Sequence, residues 1–434
     1  MNADVRAMKT PAEQALSAAF AAARVALPGK GAIGTLREDA FRRFDASGLP
    51  HRRIEEWKYT DLRALMREAK PLAEPAKTKG VVPGLPGVET SRIAIVNGRY
   101  EPNWSDFNAG DPGITLTELF AFAAEETSYR LGDVPGKDDT AFWLNTAFMT
   151  GGVVVSVKKG ARVEKPVHLA HLFASAAAAA MYPRCVVIVE AGARLTLIES
   201  FDGPDGIDYQ VNSAIELVIG EGALVDHIKI GRDGDAALRV STLGVTVDAK
   251  ANYRDFVFTT GGAVVRNQTF VRFGREGTDA TISGATLIKN RQHVDNTLVI
   301  EHAAGRCTSR ERFRSVLDDE SHGIFQGKIV VEPHAQKTDA KMASHALLLS
   351  DEAEADNKPE LEIFADDVQC GHGATAGALD KTLKFYLMSR GIPEDQAEAL
   401  LIQAFVGEAI EDVAHEGVRE ALLQASVEWL DARA

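Results

Sequence analysis

The spacing of hydrophobic residues changes twice along this chain of 434 residues. From about residue 11 to 68, apolar residues recur every three or four positions, as at Leu16 and Phe20, which predicts amphipathic helices. Residues 69–90 contain four prolines and predict an extended linker. We therefore expect residues 1–90 to form an N-terminal helical region and linker.

Between about residues 91 and 376 the apolar positions alternate with period two. Runs such as RIAIVNG, RCVVIVEA and TLVIEH are short, β-branched and bounded by Gly, Asp or Asn, which is typical of strands. A small-residue turn followed by an alternating strand recurs at intervals of 32, 30, 27 and 28 residues, starting from Gly160, Gly192, Gly222, Ala249 and Gly277. Such an interval favours a β-solenoid, because an antiparallel sandwich gives no reason for it. The predicted fold is mainly β, with a parallel β-helix core at 91–376 flanked by helical regions.

The helical period returns near residue 379 and predicts a C-terminal helical domain at 377–434. One apolar stripe runs through Leu379, Leu383 and Leu387, and later stripes suggest two more helices. The second stripe comprises Ala397, Leu400, Leu401, Ala404 and Phe405. Core packing explains each stripe, but helices that follow a solenoid are also expected to cap its open end and to offer a docking face.

Composition and charge exclude several classes of protein. The net charge of −14 and pI near 5.3 argue against a nucleic-acid surface, which would be basic. The three cysteines lie far apart without a CxxC pair, which excludes a disulfide framework and a structural zinc site and fits a reducing cytoplasm. The N-terminus has no signal-peptide core, and no apolar run approaches the roughly 18 residues that span a bilayer. We expect a soluble protein.

The segment DDVQCGHGATAG places a thiol, Cys370, two positions from an imidazole, His372. On an extended strand both side chains share one face with Val368, and a neighbouring imidazole can favour the thiolate. Sulfur and nitrogen donors suit iron, zinc or copper(I), but an iron–sulfur cluster usually needs four ligands. The pair therefore predicts half of a site. The alternative is a buried cysteine beside a surface histidine.

Common catalytic signatures are missing from the sequence. GDVPGKDD at 132–139 has the wrong spacing for a phosphate loop, and GHGATAG at 371–377 places its last glycine one position late for a dinucleotide loop. HExxH and GxSxG are absent. A β-helix polysaccharide lyase or hydrolase remains an alternative, and it would need a cleft of carboxylates on one face of the solenoid.

Several segments together resemble the SufB/SufD family of iron–sulfur cluster assembly scaffolds. The C-terminal part of this resemblance is DDVQCGHGATAGALD with AEALLIQAFVGEAIE, and the central part is HVDNTLVIEH with FQGKIVVEPHAQKTDAK. The N-terminal EEWKYTDLR, with FWLNTAF, is similar to the SufD branch in particular. The SufB branch shares the C-terminal signature and stays an alternative.

The resemblance implies a non-catalytic scaffold subunit that works with a SufB-like paralogue and a SufC-like ATPase. His372 matches the family's interface histidine, opposite a cysteine of SufB, and Cys370 matches the cysteine beside it. The region that docks the ATPase corresponds to Phe385, Tyr386, Arg390 and Phe405.

The resemblance also implies that the chain binds no cofactor stably. An iron–sulfur cluster would be held transiently, with Cys370 and His372 as cofactor or metal ligands, and a reduced flavin would belong to the whole complex. The expected location is the cytoplasm, without nucleic-acid or membrane partners. For the chain alone, a homodimer is a further expectation.

Overall fold

The computed structural model describes residues 8–77, 79–107, 112–125 and 129–433; positions 1–7 of the predicted N-terminal region lie outside these ranges. Its helices are α1 Pro11–Ala23, α2 Ala32–Ser47, α3 Leu62–Leu65, α4 Leu119–Phe122, α5 Thr140–Phe148, α6 Lys381–Ser389, α7 Glu394–Ile410 and α8 Glu416–Asp431. Its strands are β1 Ser91–Val96, β2 Arg99–Tyr100, β3 Ile114–Glu118, β4 Val153–Val157, β5 Val167–Leu172, β6 Ala180–Met181, β7 Arg184–Val189, β8 Arg194–Asp202, β9 Gln210–Ile219, β10 Leu224–Arg232, β11 Leu238–Val247, β12 Asn252–Thr259, β13 Val264–Phe273, β14 Asp279–Ile288, β15 His293–His302, β16 Thr308–Leu317, β17 His322–Val331, β18 Asp339–Leu348, β19 Glu354–Ile363 and β20 Gln369–Gly377.

The strands form two sheets, and successive coils of the chain add one strand to each. Sheet I runs in the order β2-β1-β5-β8-β10-β12-β14-β16-β18-β20, and sheet II in the order β3-β4-β7-β9-β11-β13-β15-β17-β19. From β5 to β20 the neighbouring strands pair in parallel. This confirms the predicted mainly β fold with a parallel solenoid core, because an antiparallel sandwich would alternate strand directions.

A residue in the left-handed conformation stands two positions before each strand of sheet I from β8 to β18. These residues are Gly192, Gly222, Lys250, Gly277, Arg306 and Lys337, and their φ values lie between 55° and 78°. The corner near 249 was predicted one residue early. The repeat also continues beyond 277, where the corners carry no small residue because Arg306 and Lys337 occupy them. The left-handed conformation costs such a residue about 1–2 kcal/mol.

Helices from the two ends of the chain cover the outer faces of the two sheets. On sheet II, helices α1, α2 and α5 pack through Phe20, Phe44 and Phe148 in one cluster with Leu238 and Val240 of β11. Helix α5 comes from the FWLNTAF segment and lies within the range 91–376 that was expected to form the β-helix core. The Asp139 carboxylate caps α5 by accepting from two of its first backbone amides.

On sheet I, helices α7 and α8 cover the outer face and not the end of the solenoid. Ile402 and Val406 of α7 and Leu422 of α8 share one buried cluster with Phe256 and Val316 of sheet I. The expected cap is therefore wrong, and the predicted stripe on α7 is right at Ala397 but wrong at Leu400 and Ala404, which are exposed. Its buried residues are Ala397, Ile402, Val406, Ala409 and Ile410. Because α7 is apolar on most of its surface, its sequence pattern could not select the buried face.

Two strands, β19 and β20, finish the solenoid. Within the described part of the chain, the outer edge of each pairs with no further strand. We call these two outer edges the open end.

Candidate functional site

The last strand of sheet I carries both predicted donors. Cys370 lies opposite Ala340 of β18, and His372 lies opposite Met342. Ala340 and Met342 belong to the solenoid core, and Val368 and Cys370 pack against that core. Both donor side chains therefore project from the inward face of β20, at the open end. Cys370 is half-buried and His372 is exposed.

The Cys370 sulfur is held as a neutral thiol in the isolated chain. Burial is the largest cause that raises its pKa, and the negative charge of Asp339 raises it further. The idea that the neighbouring imidazole favours a thiolate receives no support from this arrangement. A bound metal ion or a cation from another chain would be needed to shift the thiol towards its ligand form.

A buried carboxyl group lies two strands behind His372. Glu311 of β16 is opposite Met342, which is in turn opposite His372, so the three share one inward column. Among the described residues, neither carboxyl oxygen of Glu311 has a hydrogen-bond partner, and burial raises its pKa to about 8. Glu311 is therefore largely a neutral acid at pH 7.

Sequence reasoning missed Glu311, although a signal for it exists. In TSRERFRSVL the arginines at 310, 312 and 314 alternate with Glu311 and Phe313. Because strand side chains alternate between faces, three outward arginines place Glu311 on the inward face.

Near Glu311, the His302 imidazole is within 3.1 Å of the Ser309 hydroxyl, and burial lowers the pKa of His302 to about 4. These are neutral groups that can hold or pass a proton without adding charge to the solenoid interior.

The donor set of the open end is incomplete by itself. Among the described residues, no group of three or more His, Cys, Asp or Glu side chains is arranged to hold a metal ion. One sulfur and one nitrogen could supply two ligands of a metal or cluster, and the rest would have to come from another molecule.

Helix α6 follows the donor strand after three residues and presents an exposed apolar surface. Asp380 caps its first turn, accepting from the amides of Thr382 and Leu383. Every residue of α6 is at least partly exposed, including Phe385 at 71% and Tyr386 at 53%. The stripe through Leu383 was expected to have core packing as its simplest explanation, but Leu383 is 51% exposed. We call the exposed side chains of Leu383, Phe385, Tyr386 and Met388 the α6 surface.

The four residues assigned to ATPase docking lie on or next to two helices, α6 and α7. Arg390 lies with its guanidinium 5.1 Å from the Tyr386 ring, beside Phe385 on the α6 surface. Phe405 of α7 instead packs against the sheet I cluster, under the guanidinium of Arg314 at 4.8 Å. Its surroundings give Phe405 a packing role.

The WKYT segment anchors the N-terminal region to sheet II. The guanidinium of Arg266 lies 3.9 Å from the centroid of the Trp57 ring, and Arg266 also pairs with the buried Asp295. The Thr60 hydroxyl donates to Asp295 at 2.5 Å, and the Trp57 indole N–H donates to Asp139 at 3.0 Å. These contacts join the N-terminal EEWKYTDLR segment to Asp139, which precedes α5, and to Arg266 and Asp295 of sheet II.

Fold and site together define a β-solenoid protein that carries a thiol and an imidazole at a strand edge left unpaired among the described residues. Two family models match nearly the whole chain: "SufBD protein N-terminal region" over residues 13–169 and "SUF system FeS cluster assembly, SufBD core domain" over residues 172–405. The chain belongs to the SufBD family of iron–sulfur cluster assembly proteins, which confirms the predicted family.

Similar proteins come from several bacteria. The chain is 31% identical over 384 residues to an iron–sulfur cluster assembly SufBD family protein of Synechocystis, covering 84% of each chain. It is 30% identical over 390 residues to the iron–sulfur cluster assembly protein SufD of Escherichia coli, covering 87% of this chain and 88% of that one. It is 27% identical over 324 residues to SufD of Bacillus subtilis, covering 72% and 73%. Among the described residues, none of the helices has the length and apolarity needed to cross a membrane.

Proposed function

We propose that this chain is the SufD-like scaffold subunit of a cytoplasmic Suf complex and has no catalytic activity of its own. It pairs at the open end with a SufB-like paralogue, and together they hold a nascent iron–sulfur cluster as cargo. The observation that carries this proposal is the position of Cys370 and His372. Both donors stand on the last strand of the solenoid, where a second chain could complete the ligand set.

The pairing has a physical basis in the strand edges. An exposed edge can continue its hydrogen bonding into a strand of another protein. A partner that adds strands to β20 would bring its own side chains within reach of His372. It would also remove water from Cys370 and from the cluster, which strengthens electrostatic interactions there.

We propose further that the SufC-like ATPase binds the α6 surface. Large exposed apolar side chains gathered on one short helix are typical of a protein interface. The ATPase would contact Phe385, Tyr386 and Arg390. Phe405 would instead pack α7 against sheet I. Only three residues separate α6 from β20, so movement of the docked ATPase would be transmitted directly to the donor strand. A reduced flavin, if the complex uses one, would bind to the assembled complex.

The test is a substitution of His372 in the co-expressed complex. We expect His372→Ala to leave the amount of purified complex unchanged and to reduce its bound iron and acid-labile sulfide severalfold. The control is His345→Ala, on the outward face of the neighbouring strand β18, where the imidazole is within 2.5 Å of the Thr375 hydroxyl. Unchanged iron and sulfide in the His372 variant would refute the proposed site.

A further inference from the structure

The middle coils of the solenoid enclose a group of ionisable side chains. They lie on the inward faces of four neighbouring strands of sheet I, β5, β8, β10 and β12, where they alternate with core residues such as Leu195 and Val225. The group comprises His171, Glu199, His227, Lys229 and Asp255. We call these five residues the interior cluster. Each is at most 2% exposed, and burying so many ionisable groups is costly unless their charges balance.

The two ring nitrogens of His227 each face a carboxylate. Nδ1 is 2.7 Å from Oδ1 of Asp255, which lies opposite His227 in the ladder. Nε2 is 3.5 Å from Oε2 of Glu199. An ionised carboxylate only accepts hydrogen bonds, and a neutral imidazole would direct a lone pair at one of the two. The arrangement therefore favours the imidazolium, in which both nitrogens carry a proton.

The charges of the interior cluster balance only when His227 is protonated. The ammonium of Lys229 is 3.5 Å from Oε2 of Glu199 and donates to the Ser241 hydroxyl at 3.2 Å. His171 also approaches Glu199, with its Nε2 3.5 Å from Oε1. With His171 neutral, Lys229 and a protonated His227 neutralise the two carboxylates. A neutral His227 would leave one uncompensated negative charge in the interior.

The pKa values agree with this assignment of charge. Burial, the largest cause, would lower the pKa of His227, but the contacts with Asp255 and Glu199 outweigh it, so the pKa is raised. Burial would likewise raise the pKa of Glu199. The charge of Lys229 and the two neighbouring imidazoles outweigh burial there, and this pKa lies well below its usual range.

The other titratable side chains around the interior cluster do not alter this balance. Burial raises the pKa of the Tyr253 phenol on β12 and raises that of the Cys185 thiol on β7 to about 12, so both are neutral at pH 7. On β11, the charge of Arg239 is paired with Asp233 at 2.7 Å. His227 is therefore the group whose proton decides the net charge of the interior cluster.

We propose that His227 holds a buried proton at neutral pH and that loss of this proton at alkaline pH loosens strands β8, β10 and β12. The imidazolium stands on β10 and contacts a carboxylate of each neighbouring strand. Without its proton, the interior would retain an unpaired carboxylate, and the strands could relieve this cost by separating and admitting water. The interior cluster is thus a pH-sensitive element of the middle coils.

NMR of the full-length chain labelled with ¹⁵N-histidine tests the protonation state. We expect one histidine to keep both ring nitrogens protonated to about pH 8, above the usual histidine pKa near 6.5, and its signal to be missing in His227→Gln. His345 is the control: burial lowers its pKa, so its ring should be neutral at pH 7. A neutral His227 at pH 7, balanced by a protonated Asp255 or Glu199, would overturn the proposal.

Hydrogen exchange of the wild-type chain measures the loosening without any substitution. Because the folded pKa of His227 is raised, its stabilising effect is complete below the unfolded pKa near 6.5 and is lost as pH rises through the folded pKa. After correction for the intrinsic pH dependence of amide exchange, protection of β8, β10 and β12 should fall about tenfold per pH unit in that window.

Helices α1 and α2, on the outer face of sheet II, provide the internal control and should show a smaller slope. His227→Gln should remove the additional slope of β8, β10 and β12, since glutamine has no titrating proton. Equal slopes in the helices and the three strands of the wild-type chain, or an unchanged slope in His227→Gln, would refute the pH-sensitive element.

Discussion

Glu311 and His372 occupy one inward column of sheet I, separated by the single side chain of Met342. One member of the pair is a buried neutral acid, and the other is exposed at the open end. The site therefore has two layers: two side chains, Cys370 and His372, that another molecule can reach, and behind them a carboxyl group that is largely neutral at pH 7.

The buried acid should make stability depend on pH. Because the pKa of Glu311 is raised to about 8 in the fold, the unfolded chain loses this proton at lower pH than the folded chain does. The stability associated with the protonated acid is complete below the unfolded pKa near 4.3 and is lost as pH rises through 8.

We expect Glu311→Gln to become more stable relative to wild type by about 1.4 kcal/mol per pH unit between pH 5 and 8. Urea unfolding at several pH values measures this difference. Glu320→Gln, an exposed carboxylate beside Arg291, is the control and should show no such slope. A constant difference across the range would mean that Glu311 is not a buried neutral acid.

The three cysteines should differ in reactivity towards iodoacetamide. Cys185 and Cys307 are fully buried and should react only after unfolding. Half-buried Cys370 should react in the native chain, more slowly than a free thiol because its pKa is raised, and faster as pH rises since the thiolate is the nucleophile. Mass spectrometry of the labelled chain gives the site. Rapid labelling of Cys370 at neutral pH would show an activated thiolate instead.

Substitutions on the α6 surface and at Phe405 should change different properties. The first should affect binding of the ATPase, and the second should affect stability. Phe385→Ala should change the free energy of unfolding little and weaken ATPase binding. Phe405→Ala should cost about 2 kcal/mol of stability, because its ring packs between Arg314 and the sheet I cluster. Leu423→Ala, an exposed apolar residue on α8, is the binding control.

Point substitutions are preferable here to removal of residues 379–434. Deleting α7 and α8 would uncover the apolar outer face of sheet I and confuse loss of docking with loss of the fold. ATPase binding that is equally strong in the Phe385 variant would place the docking surface elsewhere.

Adding a side chain to a glycine at a solenoid corner should destabilise the fold through backbone strain alone. At Gly222, φ is 64° and an added Cβ would meet no atom within 4 Å among the described residues. Gly222→Ala should therefore cost about 1–2 kcal/mol without any clash, from the left-handed conformation. Gly274→Ala, which lies outside the left-handed region and would make only an ordinary contact at 3.8 Å, should be nearly neutral in denaturant unfolding. Equal effects would point to packing as the cause.

Local patterns in the sequence determined the strand runs and the repeat, since alternation and left-handed glycines act within a few residues. The same local signals placed Cys370 and His372 on one strand face. The resemblance of several motifs identified the family, because these motifs are spread over most of the chain.

Tertiary structure alone decided which faces are covered and what stands behind the donors. Helix α7 is apolar around most of its circumference, so only its position on sheet I shows that Ile402 and Val406 are buried and that the solenoid end stays open. Glu311 comes near His372 through the stacking of coils about 30 residues apart. Such contacts depend on how coils and helices pack, and the spacing of residues along the chain does not specify that.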